Sequence, residues 1–459
     1  MQSFIKFDRI DQKKRNVLER LKDYNEIYTQ ITTEEASTQA DRCVQCGDPY
    51  CLNKCPLHNF IPYWLKRTSE RDLEFAFMIS NESSPFPEIM GRVCPHDRLC
   101  EGDCTLEQDG FEAIMIGPIE TYISEEGFKQ GFKPKTKEII SDKKVAVIGS
   151  GPAGLSVATF LLRSGFKPYI YEKASKAGGL LTYGIPGFKL EKSVVQRRVE
   201  LLEEFGAEFI LNTEVGVDIS FEDVMEKYDA IYLGIGATKP KKAGIAWEDA
   251  DGCYEAMEFL TSIQKYNFGE QDKKIDVKDK KVVVIGGGDT TMDCARSSLR
   301  EGAKSVTIAY RRDEANMPGS KKEVKNAKDE GAEFLFLSSP AEVMIDKNGS
   351  VVGMKLEKTE LGEPDSDGRQ SCDIVPNSHF EIQADVVIFA LGFDCVNPEY
   401  LEKNNIKTDK YGRVVVDSEF QTTNKKVFAG GDCYRGAELV VSAAYDGREA
   451  AKSIVRRLL

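Results

Sequence analysis

The sequence lacks a hydrophobic run approaching the ~20 residues that a membrane-spanning helix needs. Residues 1–9 carry charges where a secretory signal would need an apolar stretch. Positive charge is in deficit, with 62 Lys and Arg against 75 Asp and Glu and a net charge of -13, which argues against nucleic acid as a partner. We therefore expect a cytoplasmic protein that binds neither a membrane nor nucleic acid.

A glycine-rich turn between a strand and a helix is the clearest motif of the chain. The apolar residues 145–148 predict a buried strand, and Gly149, Gly151 and Gly154 follow with G-x-G-x-x-G spacing. In such turns the start of the helix binds a pyrophosphate, and a carboxylate after the next strand accepts from ribose hydroxyls. Glu172 stands at that position. The pattern predicts a dinucleotide-binding fold.

A second turn of this kind follows residues 281–285. It keeps Gly286 and Gly288 but has Thr291 at the third position, and the next strand ends in Arg311 and Arg312. An NAD site would need a carboxylate there, whereas arginine accommodates the 2′-phosphate of NADP. A solvent-exposed basic turn is the alternative. The sequence favours NADPH over NADH at this second site.

The two turns belong to a weak internal repeat. Each unit has a further apolar strand that ends in glycine, at residues 230–236 and 384–392, and the tail has another at residues 427–432 before a helical stretch at 439–459. This arrangement predicts two similar α/β folds, one inserted into the other, with the tail completing the first.

Residues 1–140 form a different, mainly helical region. Residues 9–29 suit an exposed amphipathic helix, and residues 32–36 have the chemistry of a capping box at a helix start. Residues 129–144 are polar and predict a linker. Seven of the twelve cysteines lie in this region: Cys43, Cys46, Cys51, Cys55, Cys94, Cys100 and Cys104.

Dense cysteines in a cytosolic chain indicate metal or redox chemistry rather than disulfides. The first four are spaced as in two-cluster ferredoxins, where the cysteine before a proline binds the other cluster. Zinc is the main alternative, because C-x2-C pairs are common in zinc sites. Two iron–sulfur clusters would need one ligand more than the cysteines provide. His58 and His96 lie near the cysteines, and the sequence alone leaves this ligand open.

Two other enzyme classes, disulfide reductases and glutamine hydrolases, are disfavoured. Flavoprotein disulfide reductases place a closely spaced cysteine pair against the flavin, and no such pair follows Gly154. Glutamine hydrolysis is unsupported, since Gln2 stands where an N-terminal cysteine nucleophile would be and no Cys/His arrangement is evident. The cysteines of the first region are therefore the expected electron acceptors.

With these motifs in this order, the chain resembles the small (beta) subunits of bacterial NADPH-dependent glutamate synthases over essentially its whole length. The same module is similar to the N-terminal half of dihydropyrimidine dehydrogenase. The most specific stretches are ADRCVQCGDPYC (40–51), GRVCPHDRLCEGDC (91–104), GGLLTYGIP (178–186) and YRRDEANMPG (310–319).

The resemblance implies FAD in the first nucleotide fold, NADPH in the second and two [4Fe–4S] clusters in front. By position, one cluster takes Cys43, Cys46, Cys51 and Cys104. The other takes Cys55, Cys94 and Cys100, completed by Glu120 as an oxygen ligand. The implied FAD residues are Gly149, Gly151, Pro152, Ala153, Gly154, Glu172, Gly179, Leu180, Gly431, Asp432 at the ribityl chain, and Val440 near the flavin pyrimidine edge. Gly392, at the end of the apolar strand of the second unit, is a further implied cofactor-binding residue. The implied NADPH residues are Gly286, Gly288, Asp289, Thr290, Thr291, Arg311 and Arg312.

The expected architecture is α/β, with two Rossmann-like domains of the disulfide-reductase type, one inserted in the other, behind a helical iron–sulfur domain. The expected boundaries are 1–140, then 141–240 with 393–459 for FAD, and 241–392 for NADPH. The resemblance implies an electron-input subunit that passes hydride from NADPH to FAD and single electrons through the clusters to the large FMN-containing subunit, which makes L-glutamate from L-glutamine and 2-oxoglutarate. Hydride transfer requires no side-chain acid or base, so no catalytic residue is named.

Two other functions are compatible with the same motifs. A related NAD(P)H-dependent iron–sulfur flavoprotein would serve another acceptor, such as ferredoxin or a different dehydrogenase subunit. A non-catalytic scaffold would keep the folds without turnover, but the intact glycines and cysteines speak against it.

Overall fold

The computed structural model describes residues 3–364 and 370–459. The first region is helical, and a buried core around Trp64, Phe77 and Ile119 holds its helices together. Two short 3-10 turns, Ser3–Ile5 and His96–Arg98, accompany them. The helices are α1 (Val17–Arg20), α2 (Thr33–Asp41), α3 (Tyr50–Lys54), α4 (Ile61–Ser69), α5 (Leu73–Ser83), α6 (Pro87–Val93), α7 (Thr105–Gln108) and α8 (Ile116–Lys129).

The capping box predicted at residues 32–36 is confirmed: Thr32 accepts from the Glu35 N–H, and the Glu35 side chain bonds back to the Thr32 backbone. The exposed amphipathic helix predicted for residues 9–29 is wrong. Only Val17–Arg20 is helical, and Arg20 is buried against Glu330, Nε to Oε1 3.0 Å. A buried ion pair with a residue 310 positions away overrides the local periodicity.

A first five-stranded parallel sheet follows, with strand order β15-β4-β1-β2-β3. Its central strands are apolar on both faces because helices cover both sides, as in doubly wound folds. The strands are β1 (Lys144–Ile148), β2 (Lys167–Tyr171), β3 (Glu208–Ile210), β4 (Ala230–Leu233) and, from the tail, β15 (Val427–Ala429). The helices that accompany this sheet are α9 (Pro152–Arg163), α10 (Leu180–Tyr183), α11 (Lys192–Glu204), α12 (Phe221–Lys227), α16 (Glu399–Lys403), α17 (Asp432–Arg435) and α18 (Val440–Leu458).

The second sheet lies within the first unit in sequence and has the order β6-β13-β7-β8-β9. An antiparallel sheet β10-β11-β12 and a two-stranded ribbon β14-β5 accompany it. The elements are β5 (Lys239–Pro240), β6 (Cys253–Glu255), α13 (Ala256–Asn267), β7 (Lys281–Ile285), α14 (Asp289–Arg300), β8 (Ser305–Ala309), α15 (Lys321–Asp329), β9 (Glu333–Leu335), β10 (Ser338–Ile345), β11 (Val351–Pro364), β12 (Gln370–Gln383), β13 (Val386–Phe389) and β14 (Phe393–Asp394).

The return of β15 to the first sheet confirms the predicted fold class, with one α/β fold inserted in the other. None of the helices in the described residues is long and apolar enough to cross a membrane.

A buried ion pair joins the helical region to the first α/β fold. Arg198 on α11 binds Glu88 on α6 with both nitrogen–oxygen distances at 2.7 Å, and both side chains are essentially inaccessible. Such a pair is costly to desolvate, so losing one partner leaves an uncompensated buried charge.

We expect Arg198→Leu to lower the free energy of unfolding by about 3–5 kcal/mol, measured by urea denaturation. The double variant Glu88→Leu with Arg198→Leu should recover most of this loss, because it buries no unpaired charge. Arg71→Ala, at the exposed pair with Glu34, is the control and should leave the midpoint unchanged. Equal midpoints for Arg198→Leu and wild type would contradict the prediction.

Candidate functional site

The first glycine turn is packed tightly on one side and open on the other. A Cβ on Gly154 would lie 2.0 Å from the Gly149 carbonyl oxygen, and one on Gly149, whose φ is +97°, would lie 2.4 Å from that of Gly234. A Cβ on Gly151 would meet nothing within 4 Å. Helix α9 begins directly after Gly151 with no side-chain cap, so its first N–H groups, including that of Ala153, are open to an anion.

Glu172 lies beside this turn and is buried. Its carboxylate accepts from the Ser150 N–H (3.1 Å), the Ser150 hydroxyl (2.5 Å) and the Ala174 N–H (2.9 Å). The Ser150 hydroxyl in turn accepts from the Gly178 N–H at 2.9 Å, and Gly179 packs on Gly151. Sequence reasoning found Glu172 and missed Ser150, whose place between the first two glycines was the available signal.

The tail brings further predicted residues to the same place. A Cβ on Gly431 would lie 2.8 Å from that of Ala153, so the tail packs on the first turn of α9. The Gly431 N–H donates to Asp446 (2.9 Å), which also forms a two-bond ion pair with Arg435. Burial raises the pKa of the neighbouring Asp432 to about 7. Sequence reasoning missed Asp446, because nothing in its local sequence marks it.

The first turn of α18 also lies beside Gly431, since a Cβ there would be 3.5 Å from that of Ala443. Val440 is its first residue, and no side chain caps the helix. The positive end of the helix dipole is thus available to negative charge on a ligand.

The second glycine turn repeats the geometry of the first. Gly286 has φ +147°, and a Cβ there would lie 2.5 Å from both the Ala390 carbonyl oxygen and the Thr291 hydroxyl. Gly288 faces open space, and α14 starts after it without a side-chain cap. Thr291 is fully buried, and its hydroxyl occupies the space beside Gly286 that a Cβ there would need, so the third position holds a small side chain where the first must be glycine.

Arg311 and Arg312 lie at the edge of the sheet where this turn lies. Strands β7 and β8 run parallel with Ile285 opposite Ala309, so both end at one edge. Arg311 is exposed, whereas Arg312 is largely buried and donates from Nε to the Gln370 carbonyl oxygen at 2.9 Å. Arg311 is therefore the freer of the two cations.

The cysteines separate into two sets. A pocket of about 380 Å³ is lined by four of them: Cys43, Cys46, Cys51 and Cys104. Burial raises the pKa of the Cys43 thiol to about 11 and that of Cys51 still further, with nearby thiolates adding to the effect. A metal bound here would hold these thiols as thiolates. In the described residues, no three His, Cys, Asp or Glu side chains come close enough together to hold a single ion.

The second set consists of Cys55, Cys94, Cys100 and Glu120. Burial raises the pKa of each of the three thiols, and the nearby Glu120 charge adds to this. Glu120 is buried and its pKa is raised to about 8 by burial. It accepts one hydrogen bond, from the Asn59 side chain at 2.7 Å, and no Lys, Arg or His of the described residues pairs with it.

The two histidines considered from sequence have different surroundings. His58 is exposed with φ +45°, while the His96 ring packs against Gly117, where an added Cβ would lie 2.4 Å from it. A buried carboxylate without a counter-ion beside three thiols fits a metal centre, and it fits better than either histidine.

The second set also adjoins the first α/β fold. Cys55 and Cys94 pack against its hydrophobic core. Arg448 on α18 donates to the carbonyl oxygens of Leu57 (2.8 Å) and Ser83 (3.0 Å) of the helical region. Cys43, Cys51 and Cys104 of the first set pack against the core of the helical region, as Cys55 and Cys100 of the second set also do, so the second set lies between the two cores.

Comparison with known proteins divides the chain into the same helical region and α/β region. Residues 20–132 match the model described as dihydropyrimidine dehydrogenase domain II, 4Fe-4S cluster. Residues 143–447 match the pyridine nucleotide-disulphide oxidoreductase model. The solved structure of Mycobacterium tuberculosis FprA in complex with NADPH superposes with a TM-score of 0.57 at 20% identity, covering 69% of this chain and 85% of FprA, which shows a shared fold.

These matches define the class: the chain is a pyridine-nucleotide oxidoreductase with an iron–sulfur domain in front of it. A protein of Escherichia coli K12 named glutamate synthase [NADPH] small chain is 47% identical over 99% of this chain and 98% of its own length. The chain belongs to the family of glutamate synthase small chains. The putative oxidoreductase AegA of the same organism is 46% identical over 94% of this chain and 67% of its own length.

The contrast between Gly151 and Gly154 gives a direct test of the first turn. We expect Gly151→Ala to fold like wild type but to retain less flavin, because the new methyl group occupies the open face. Gly154→Ala should instead lower the free energy of unfolding by about 1–3 kcal/mol, because its methyl group meets a backbone carbonyl. Gly288→Ala is the matched control and should keep the flavin. Flavin content and urea unfolding measure both effects, and full flavin in Gly151→Ala would refute the assignment.

Proposed function

We propose that the protein is the electron-input subunit of a glutamate synthase and acts in the cytoplasm. Its bound groups would be FAD on the first α/β fold, NADPH on the second and two [4Fe–4S] clusters on the helical region. The proposed partner is the large FMN-containing subunit, which forms L-glutamate from L-glutamine and 2-oxoglutarate. The family membership supports this proposal, and so does the position of the second cysteine set against the first α/β fold.

That position is the observation on which the proposal chiefly depends. Cys55 and Cys94 pack on the core that also contains α9 and α18. Arg448 ties α18 to the loop after Cys55 through the Leu57 carbonyl. A group held by Cys55, Cys94, Cys100 and Glu120 would thus be the nearer one to the flavin site. The set Cys43, Cys46, Cys51 and Cys104 would come next, close to the exposed side chain of Tyr50.

The redox chemistry belongs to the cofactors, which would supply hydride transfer between nicotinamide and flavin and one-electron transfer through iron and sulfur. The residues of the chain bind and orient them. The open N–H groups of α9 would donate to a pyrophosphate, and Glu172 would accept from a ribose. Asp432 would hold the ribityl chain, and the start of α18 near Val440 favours negative charge on the flavin ring.

The domain boundaries follow the same proposal. We propose a helical domain over 1–140, an FAD domain over 141–240 and 393–459, and an NADPH domain over 241–392. The two parallel sheets support this division, because the strands of one fall within residues 144–233 and 427–429 and those of the other within 253–389.

A second candidate function comes from the similarity to AegA. At 46% identity that protein, named a putative oxidoreductase, is almost as similar as the E. coli small chain, so a related reductase that serves another acceptor is the second candidate. Co-purification with a large amidotransferase–FMN subunit separates the two. Alone, the protein should reduce an artificial dye with NADPH and form no glutamate.

Metal analysis tests the proposal itself. Anaerobically purified protein should contain about eight irons and one FAD, measured with sulfide and by EPR of the reduced protein. Glu120→Ala should lose about half of the iron and one EPR signal, because it removes the oxygen ligand of the second set. Glu126→Ala, on the same helix at a partly exposed position, should keep both. Zinc in place of iron, or full iron in Glu120→Ala, would contradict the assignment.

Coenzyme preference tests the second nucleotide site. Arg311→Ala should weaken NADPH binding by about 1.5–3 kcal/mol, the usual contribution of a charged hydrogen bond, and leave NADH binding almost unchanged. Arg312→Ala should show the same preference, with an added loss of stability from its bond to Gln370. Dissociation constants for both coenzymes measure this. Equal losses for NADPH and NADH would show that the arginines do not contact the 2′-phosphate.

A further inference from the structure

Residues 95–99 connect two cysteines of the second set, Cys94 and Cys100. They contact the second α/β fold, the one proposed to bind NADPH. Arg98 donates from Nη1 to the Pro318 carbonyl oxygen. The Asp97 carboxylate accepts from the Ser320 hydroxyl at 3.3 Å and from the Lys321 N–H at 3.2 Å, so it caps the start of α15 from another part of the chain. The iron–sulfur region is thus docked on the loop of residues 317–321.

This loop is joined to the second glycine turn. The Gly319 N–H donates to the Gly287 carbonyl oxygen at 3.1 Å, and the Ser320 N–H donates to Asp289 Oδ1 at 3.0 Å. Asp289 is the first residue of α14, the helix whose open N–H groups follow Gly288. Its second carboxylate oxygen, Oδ2, lies 3.6 Å from Arg98 Nη2.

Asp289 is among the residues implied to bind NADPH, and as the first residue of α14 it can offer its backbone N–H. Its carboxylate, in contrast, is unfavourable where a pyrophosphate is to bind, because two negative charges would share one helix start. In the described part of the chain, Arg98 is the cation within ion-pair distance of Asp289. Arg98 supplies the opposite charge, and its hydrogen bond to the Pro318 carbonyl oxygen fixes the guanidinium in place. Asp289 keeps its orientation through Ser320.

We propose that Arg98, a residue of the iron–sulfur region, is a positioning residue for NADPH: it offsets the Asp289 carboxylate and holds it away from the pyrophosphate. This inference depends on the proposed function, since it places NADPH at the start of α14. It makes the coenzyme site a composite of two domains. The segment between two cluster ligands thus contacts the start of α14 through Asp289.

The test is a double-variant cycle on NADP⁺ affinity, measured by equilibrium titration of the iron-loaded protein at low ionic strength. Arg98→Ala should weaken NADP⁺ binding about fivefold, the upper range for a partly exposed ion pair. In the Asp289→Asn background the same change should have almost no effect, because the charge that Arg98 offsets is gone. Arg67→Ala, a similarly exposed arginine paired with Glu70, is the control and should bind as wild type.

Two further measurements separate this role from a structural one. Asp289→Asn alone should bind NADP⁺ more tightly than wild type, because it removes the negative charge at the start of α14. The asparagine keeps the oxygen that accepts from the Ser320 N–H. Arg98→Lys should recover part of the affinity, because it keeps the charge but not both contacts. Iron content and the EPR signals should be unchanged in all variants.

The proposal is overturned if Arg98→Ala binds NADP⁺ as wild type does, if its loss is equally large in the Asp289→Asn background, or if Asp289→Asn weakens binding. Wild-type protein that binds iron and flavin but no NADP⁺ would instead refute the proposed function, so the two failures are distinct.

Discussion

The contact between backbones at the first glycine turn is the constraint on which the rest of the structure depends. Gly149 and Gly154 allow α9 to approach β1 so closely that no side chain fits between them. Three distant segments then pack on this turn: Gly234 after β4, Gly179 before α10 and Gly431 of the tail. The ligand face at Gly151 is what this packing leaves open. Close approach and ligand access are therefore two results of the same arrangement.

Charged groups, rather than hydrophobic contacts alone, join the helical region to the two α/β folds. Glu88 with Arg198 links α6 to α11, and Arg20 reaches the buried Glu330 beside α15. Arg448 crosses from α18 to two carbonyl groups near the second cysteine set. Buried charges are stable only when their partners are held in fixed geometry, so these pairs fix the orientation of the region that carries the cysteines.

The elements with strong local signals could be predicted from the sequence. The strands around both glycine turns and the capping box at Thr32 have periodicity or spacing that is visible in a short window, and the return of the tail followed from the weak internal repeat. The segment at residues 9–29 could not, because the burial of Arg20 depends on Glu330, far along the chain. Asp446, which accepts from Gly431, and Arg98, which lies beside Asp289, contact partners on other elements, and no local pattern marks such contacts. Glu120 followed from a resemblance to a family and not from its spacing.

The position of β15 and α18 has a consequence for how the protein is made. Both follow the inserted sheet in sequence, at residues 427–458, yet they complete the first sheet and the site around Gly431 and Asp432. The inserted sheet is built entirely from residues 253–389, so the ribosome releases all of its strands earlier. Because domains generally fold as units during synthesis, we expect the inserted fold to form first. The site for the flavin would be assembled only after residues 427–458 have been translated.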